Sequence, residues 1–393
     1  MKWGDGGRTS VRAELQLRLR SEAKASRGLK PALQWAAIVV ACACTAFAQG
    51  TLYMGAWEKQ MLVVDETQQK IVDRIPLSTG TPHGVQLSRD RKTIYVWTVD
   101  HNGIEVIDAA THKITNSFVL DEGNKVVRFS SWAPDPQGKL LYLVTEVVEK
   151  KIDRFEISPL KFAVVDLEQK KIVRTADFPR EEIQAQRMGR VNANMHVSAD
   201  GKYLYLMRQG ILVFDTSNFK LVEKMDLSEP ESGLGSVGMG QQIDALQRPG
   251  ELVGMFTAID PIVHRQVFGI GRFDLDKRKF QFAPVGPMSG GMTGLHVTPD
   301  GKIGYTVTTN GTGGNKRSEF WVFDLASNKL VRKGEFDGRA RYSFAVSSDG
   351  RDLYIYAAGY EIEVYDAATL KLRKTIDVNA DITTEMIVLP AHR

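Results

Sequence analysis

Three histidines and a group of arginines are the residues best placed to do chemistry in this 393-residue chain. His196 and His296 each stand four residues before the Asp of an Asp-Gly pair, and His83 precedes the related stretch Ser88-Arg89-Asp90-Arg91. Imidazoles that recur at one position of a periodic fold can converge on a metal or a small ligand. Gln86 and Ala345 fill the matching slots of two further copies, so no complete ring of ligands is implied. Strand histidines hydrogen-bonded to their neighbours are the competing reading. Arg128, Arg190, Arg339 and Arg341 precede apolar segments of the same kind and together would form an anion-attracting mouth. Solvated rim charges are the alternative there.

Other patterns resemble chemistry only by composition. Seven Asp residues recur at strand ends, but a carboxylate after an apolar strand serves first to accept hydrogen bonds from the turn amides ahead. Gly238–Gly240 and Gly311–Gly314 are glycine-rich without the strand-to-helix context of a phosphate loop, and are expected to be flexible loops. No nucleophile elbow and no haem attachment motif is present. The sequence assigns no catalytic residue and no metal ligand set.

These residues are positioned by a repeat. Two apolar residues followed by Asp, a polar turn and a second alternating strand occur seven times, ending at Asp65, Asp108, Asp166, Asp215, Asp274, Asp324 and Asp366. The spacings of 43, 58, 49, 59, 50 and 42 residues fit the blades of a β-propeller. Most anchors are preceded by a second phrase: an apolar strand, Ser or Thr, Asp-Gly, then a strand containing Tyr. It is clear at Val197–Gly201, Val297–Gly301 and Val346–Gly350, and Arg91 stands where glycine is expected in a fourth copy. Each blade thus reads as four antiparallel strands, A to D. The copy at Thr51-Leu52-Tyr53-Met54 has no strand A of its own, and Glu385–Leu389 has nothing after it. Pairing of these two segments is predicted to close a seven-bladed, all-β ring over residues 49–393 and to hide both free edges.

The long connections fall on one face, where B–C and D–A loops open. They are Glu149–Lys161, Ser228–Asp244 and the stretches around Pro261–Gln266 and Asn310–Ser318. Loops on one face of a rigid scaffold are where binding concentrates.

Residues 1–48 read differently. Eight Lys or Arg against three acids in residues 1–30, an apolar run from Leu33 to Phe47 and the small-residue site Ala46-Phe47-Ala48 describe a secretory signal peptide cut after Ala48. An uncleaved anchor and a lipid anchor at Cys42 are the alternatives. Cleavage removes both cysteines, Cys42 and Cys44, and leaves 43 basic against 44 acidic residues. That near-neutral balance excludes a nucleic-acid partner as the default, and no transmembrane domain is expected after the leader. The expected location is periplasmic or secreted.

The strand phrases Leu52-Tyr53-Met54-Gly55 and Ile94-Tyr95-Val96-Trp97, with Gly103–Asp108 following, resemble the YVTN-type propeller repeat family. The segment Glu146–Asp166, with Leu221–Ser228 and the final blade, is similar to the propeller subunit of quinohemoprotein amine dehydrogenase and more distantly to methylamine dehydrogenase heavy chains. That resemblance implies a periplasmic, non-catalytic subunit without a cofactor of its own. Quinone and haem would sit on partner subunits docked against it through the long-loop face. A free-standing lactonase-like hydrolase, or an envelope protein that binds ligands or proteins through its repeats, are the other functional readings.

Overall fold

The computed structural model describes residues 50–100, 102–184, 193–207, 210–225, 235–239, 250–260, 262, 264–287, 291–311, 313–337, 342–357 and 359–391. The leader, with its predicted cleavage site after Ala48 and Cys42, lies outside them, as do Arg190, Arg339 and Arg341. The compact unit Gln49–Arg393 is a seven-bladed β-propeller of small antiparallel sheets. Each blade runs A to D in order, and each anchor Asp ends a strand C.

Blade one shows how the ring is made. Its strands B, C and D are Thr51–Ala56, Gln60–Asp65 and Lys70–Pro76, and its strand A is Ile387–Leu389 from the other end of the chain. Thr51, Leu52 and Tyr53 pair with Leu389, Val388 and Ile387. The predicted closure is therefore present. It is reinforced at the loop face, where the Gly55 amide donates to Thr384 Oγ1 at 2.8 Å and the Thr383 amide to the Gly55 carbonyl at 2.9 Å.

A propeller has no single core, because every sheet buries both faces against its neighbours. The buried apolar side chains form seven clusters, one at each seam between blades. The closing seam holds Leu52, Met54 and Val388 of blade one against Tyr354, Ile362 and Val364 of blade seven. At the seams a second repeat appears. In six blades strand B carries a Tyr opposite a Val of strand C: Tyr53 opposite Val63, Tyr95 opposite Val106, Tyr142 opposite Val164, Tyr205 opposite Val213, Tyr305 opposite Val322 and Tyr354 opposite Val364. The Tyr53 hydroxyl donates to the Ala109 carbonyl at 2.6 Å and Tyr205 to Leu275 at 2.6 Å, and Tyr305 reaches Ala367 at 3.4 Å. Each acceptor is the residue after the anchor Asp of the next blade. Burial pushes the Tyr53, Tyr95 and Tyr205 phenols up to about 12, so they remain donors. Blade five breaks the pattern, with Val253 opposite Arg272.

The anchor carboxylates do what turn chemistry requires. Asp65 accepts from the Gln68 amide at 2.7 Å, Asp166 from Gln169 at 2.8 Å and Asp366 from Thr369 at 2.7 Å, with the same arrangement at Asp108, Asp274 and Asp324, while Asp215 accepts from the Ser217 amide at 2.7 Å. Hydroxyl and amide donors hold the Asp108, Asp324 and Asp366 carboxyls below the usual carboxylate range. The residue four places after each anchor takes a left-handed backbone: Gln69, His112, Lys170, Phe219, Arg278, Asn328 and Leu370. Only Asn328 is a residue type that signals this, so the conformation was not legible in the sequence. Asp-Gly turns behave as read, with φ near +74° at Gly201, +72° at Gly301 and +74° at Gly350, and Arg91 takes the same place at +62°.

Several loops are more ordered than the sequence implied. Glu149–Lys161 is a ribbon: strand B of blade three runs from Leu140 to Lys150 and pairs back with Phe155–Ile157. The Gly-rich stretches are not plain loops either. Gly235–Met239 is strand A of blade five, taking Gly238 into a sheet, and Gly313–Asn315 is a turn of 3-10 helix. A short helix, Arg180–Gln184, leads from blade three toward blade four.

A Cβ at Gly301 meets nothing within 4 Å, so Gly301→Ala isolates the backbone term. It is expected to cost about 1 kcal/mol in urea unfolding. Lys170→Gly, at an exposed left-handed position, is expected to gain about 0.5 kcal/mol in the same assay. Val388→Asp places a carboxylate in the closing seam, and should remove about 4 kcal/mol or more, or abolish the cooperative transition.

Candidate functional site

Antiparallel order puts the B–C and D–A connections of every blade on one face, around the mouth of the channel lined by strands A. The path into blade two shows how a side chain is positioned there. Buried Glu105 uses one carboxylate oxygen to accept from the amides of Ser78 at 2.7 Å and Thr79 at 2.8 Å, and from both hydroxyls. Asp100 accepts from the Thr81 amide at 2.8 Å. These bonds hold the chain as it enters strand A of blade two (Pro82–Leu87) and set His83 at the mouth, exposed. The His83 ring lies edge-on to Trp97 at 4.8 Å, and Trp97 leans on Phe129 at 4.8 Å.

His196 and His296 occupy equivalent places, as their spacing implied. Each lies opposite the recurring tyrosine of its own blade, His196 opposite Tyr205 and His296 opposite Tyr305. Gln86 and Ala345 fill the same register in blades two and seven, opposite Tyr95 and Tyr354. Burial pushes the His196 imidazole down to about 4, which makes it a neutral group near pH 7. His296 lies edge-on to Phe344 at 4.8 Å. Arg128 is exposed in strand A of blade three, opposite Glu146 in the register. His83, Arg128, His196 and His296 thus stand in strands A of blades two, three, four and six. Among the described residues no group of three or more His, Cys, Asp or Glu stands close enough to hold a metal.

One residue of the mouth escaped the sequence reading. Glu385 starts the closing segment, two positions before Ile387. It is open to the channel yet ringed by protein, and this desolvation raises its carboxyl above the ordinary range. Ser343 of blade seven donates through Oγ to the carbonyl of Thr384, the residue just before it, at 3.3 Å, and His296 of blade six acts on it electrostatically. An acid one step before an apolar closing strand was the available signal. Chemically, a carboxylate, a hydroxyl and an imidazole from three blades can orient a polar ligand or move a proton.

The same face carries part of the exposed apolar surface. Among the described residues, the exposed large hydrophobic side chains lie on a B–C connection, on an outer strand D or, for Ile259, at the end of a strand B, and none on the A–B or C–D turns. The B–C group includes Trp57, Val99, Ile152, Phe155, Ile262 and Tyr360. Ile152 is fully exposed at the tip of the blade-three ribbon, with Phe155 and Ile157 behind it.

The chain is similar in fold to solved propellers. A periplasmic gluconolactonase from Pseudomonas aeruginosa is 12% identical with a TM-score of 0.53, over 88% of this chain and 100% of that one. A functionally unknown protein from Desulfotomaculum acetoxidans is 12% identical with a TM-score of 0.53, over 87% and 99%. No family model and no curated protein matches the chain. At these identities the likeness establishes the fold alone.

The unfolded His196 imidazole takes its proton near 6.5 and the folded one only near 4, so between those values the unfolded state binds more protons. Stability should fall as pH is lowered from 6.5 to 4. His196→Asn should flatten that part of the denaturation-against-pH curve, and NMR titration should place this histidine near 4.

Proposed function

We propose that this chain is an extracytoplasmic, non-catalytic propeller subunit that docks a protein partner across its loop face. The observation that carries the reading is the group of exposed apolar residues on the B–C connections, led by the ribbon of blade three. Burying side chains such as Ile152, Phe155, Trp57 and Tyr360 against a partner is what such a surface favours. The stretch that resembles the amine dehydrogenase propeller subunit, Glu146–Asp166, coincides with this ribbon and the strand after it. That coincidence supports quinone-bearing and haem-bearing subunits as the partners, with no cofactor on this chain. The leader-like sequence at residues 1–48 supports export. Among the described residues no helix is long and apolar enough to cross a membrane.

The grouping of Glu385, Ser343 and His296 favours a second reading, a free-standing hydrolase acting at the channel mouth on a lactone. Lactone hydrolysis by the purified chain that is lost in Glu385→Gln would replace the scaffold reading.

The scaffold reading is tested by purifying the tagged chain from its native cells. A partner should co-elute across an interface above about 1,000 Å², with haem absorbance if the assembly is of the amine dehydrogenase type. Ile152→Asp with Phe155→Asp should release the partner and leave the melting temperature unchanged, because both side chains face solvent. Elution of the unaltered chain alone, as a monomer, would sink the proposal.

A further inference from the structure

The break in the repeat at blade five leaves a cleft on the turn face, opposite the docking surface. We propose that a small organic molecule bearing an oxyanion, a carboxylate or a phosphate, binds in the cleft between blades five and six with Arg272 as its anchor.

The cleft follows from two substitutions in the seam repeat. Six blades place a Tyr opposite a Val and fill the seam with the phenol ring. Blade five places Val253 opposite Arg272, which removes the ring and brings in a guanidinium. A space of about 670 Å³ results, walled by blade five on one side and by the Val297–Gly301 turn and Leu325 of blade six on the other. That volume lies within the roughly 300–1,000 Å³ of small-molecule sites.

Arg272 partly replaces the missing tyrosine. Its Nη2 donates to the Leu325 carbonyl at 2.5 Å, and Leu325 follows the anchor Asp324 just as the tyrosines' acceptors follow theirs. A phenol is satisfied by that one bond. A guanidinium has five N–H donors in a planar fork, so most of its capacity is left over. Among the described residues no carboxylate pairs with it.

The nearby acids are committed elsewhere. Asp274 accepts from the Lys277 amide at 2.8 Å and from Lys277 Nζ at 2.9 Å. Asp300 accepts from Thr298 Oγ1 at 2.7 Å and the Lys302 amide at 3.1 Å. Glu251, on the rim, acts on Lys277. Lys279 adds a second positive charge beside Asp274 in the register, and Gln281, opposite Arg272, adds an amide. Partial burial disfavours the charged guanidinium, which a bound anion would offset. A planar oxyanion matches the fork with two parallel hydrogen bonds.

The test uses the full chain and calorimetric titration with citrate and with glycerol phosphate at constant ionic strength, against chloride. Saturable binding of one or both is expected, and which one binds identifies the anion. Val253→Tyr with Arg272→Val restores the pair used by the other six blades. This variant should fold with an equal or higher melting temperature, and should bind at least about tenfold more weakly. Arg272→Gln alone, read by the same titration, should also weaken binding and covers the case in which the double variant fails to fold. No saturable binding by the unaltered chain, a response matched by chloride, or undiminished binding by the variants would overturn the proposal.

Discussion

Ring closure is the constraint on which the other features depend. A blade alone is a four-stranded sheet with two apolar faces and two open edges, and it gains stability only from neighbours on both sides. The chain meets this by sending Ile387, Val388 and Leu389 back beside Thr51–Tyr53, so blade one is built from both ends of the propeller. Once those strands pair, Leu52 and Val388 can pack on blade seven while Tyr53 and Ile387 pack on blade two. Without that pairing the seam with blade seven loses Val388, and the seam with blade two loses Ile387 and Leu389. The Thr383 and Thr384 bonds to Gly55 lock the same junction at the loop face, so the closure and the mouth of the channel are one construction.

Six of the seven seams share one solution, and the exception is informative. A Tyr opposite a Val suits a seam that must be dry and still satisfy a carbonyl just past the neighbouring anchor. Six blades use it. In blade five Arg272 reaches the corresponding carbonyl, at Leu325, from the adjacent strand, so the bond survives while the filling does not. The pair therefore keeps the ring connected and opens space at one place. Neither substitution would make sense alone: Val253 without Arg272 would leave the Leu325 carbonyl without this donor, and Arg272 beside a tyrosine would crowd the seam.

The two faces of the ring are built by different rules. A–B and C–D turns are held by Asp carboxylates and by backbones with positive φ, and apart from the longer link from Met239 to Glu251 in blade five they vary little in length. B–C connections carry no such fixed hydrogen-bond set, so they can lengthen without disturbing the sheet. Blade three uses that freedom to extend its strands into a ribbon tipped by Ile152. Polar groups such as Glu105 and Asp100 stabilise the chain where it enters a blade, which leaves the protruding side chains free to face a partner. Rigidity beneath and apolar exposure above are the conditions for docking with little loss of conformational entropy.

The residue pattern alone determined the number of blades, the roles of the seven anchor Asp residues, the Asp-Gly turns and the closing strand. These are short-range matters: an alternating strand, a carboxylate near turn amides and a glycine at positive φ are complete within a few residues. The equivalent heights of His196 and His296 were legible for the same reason, since both were counted from an anchor in their own blade. Only the tertiary structure decided what meets across a seam. Glu385 comes beside Ser343 and His296 because the closing strand lies next to blade seven, and Arg272 meets Leu325 because strand C of blade five faces blade six. The left-handed residue after each anchor was hidden too, because residues as unlike as Lys170 and Leu370 are held there by the turn's hydrogen bonds and not by their own preference. A repeat sets its own period, whereas contacts between repeats depend on how unlike copies fill a shared space.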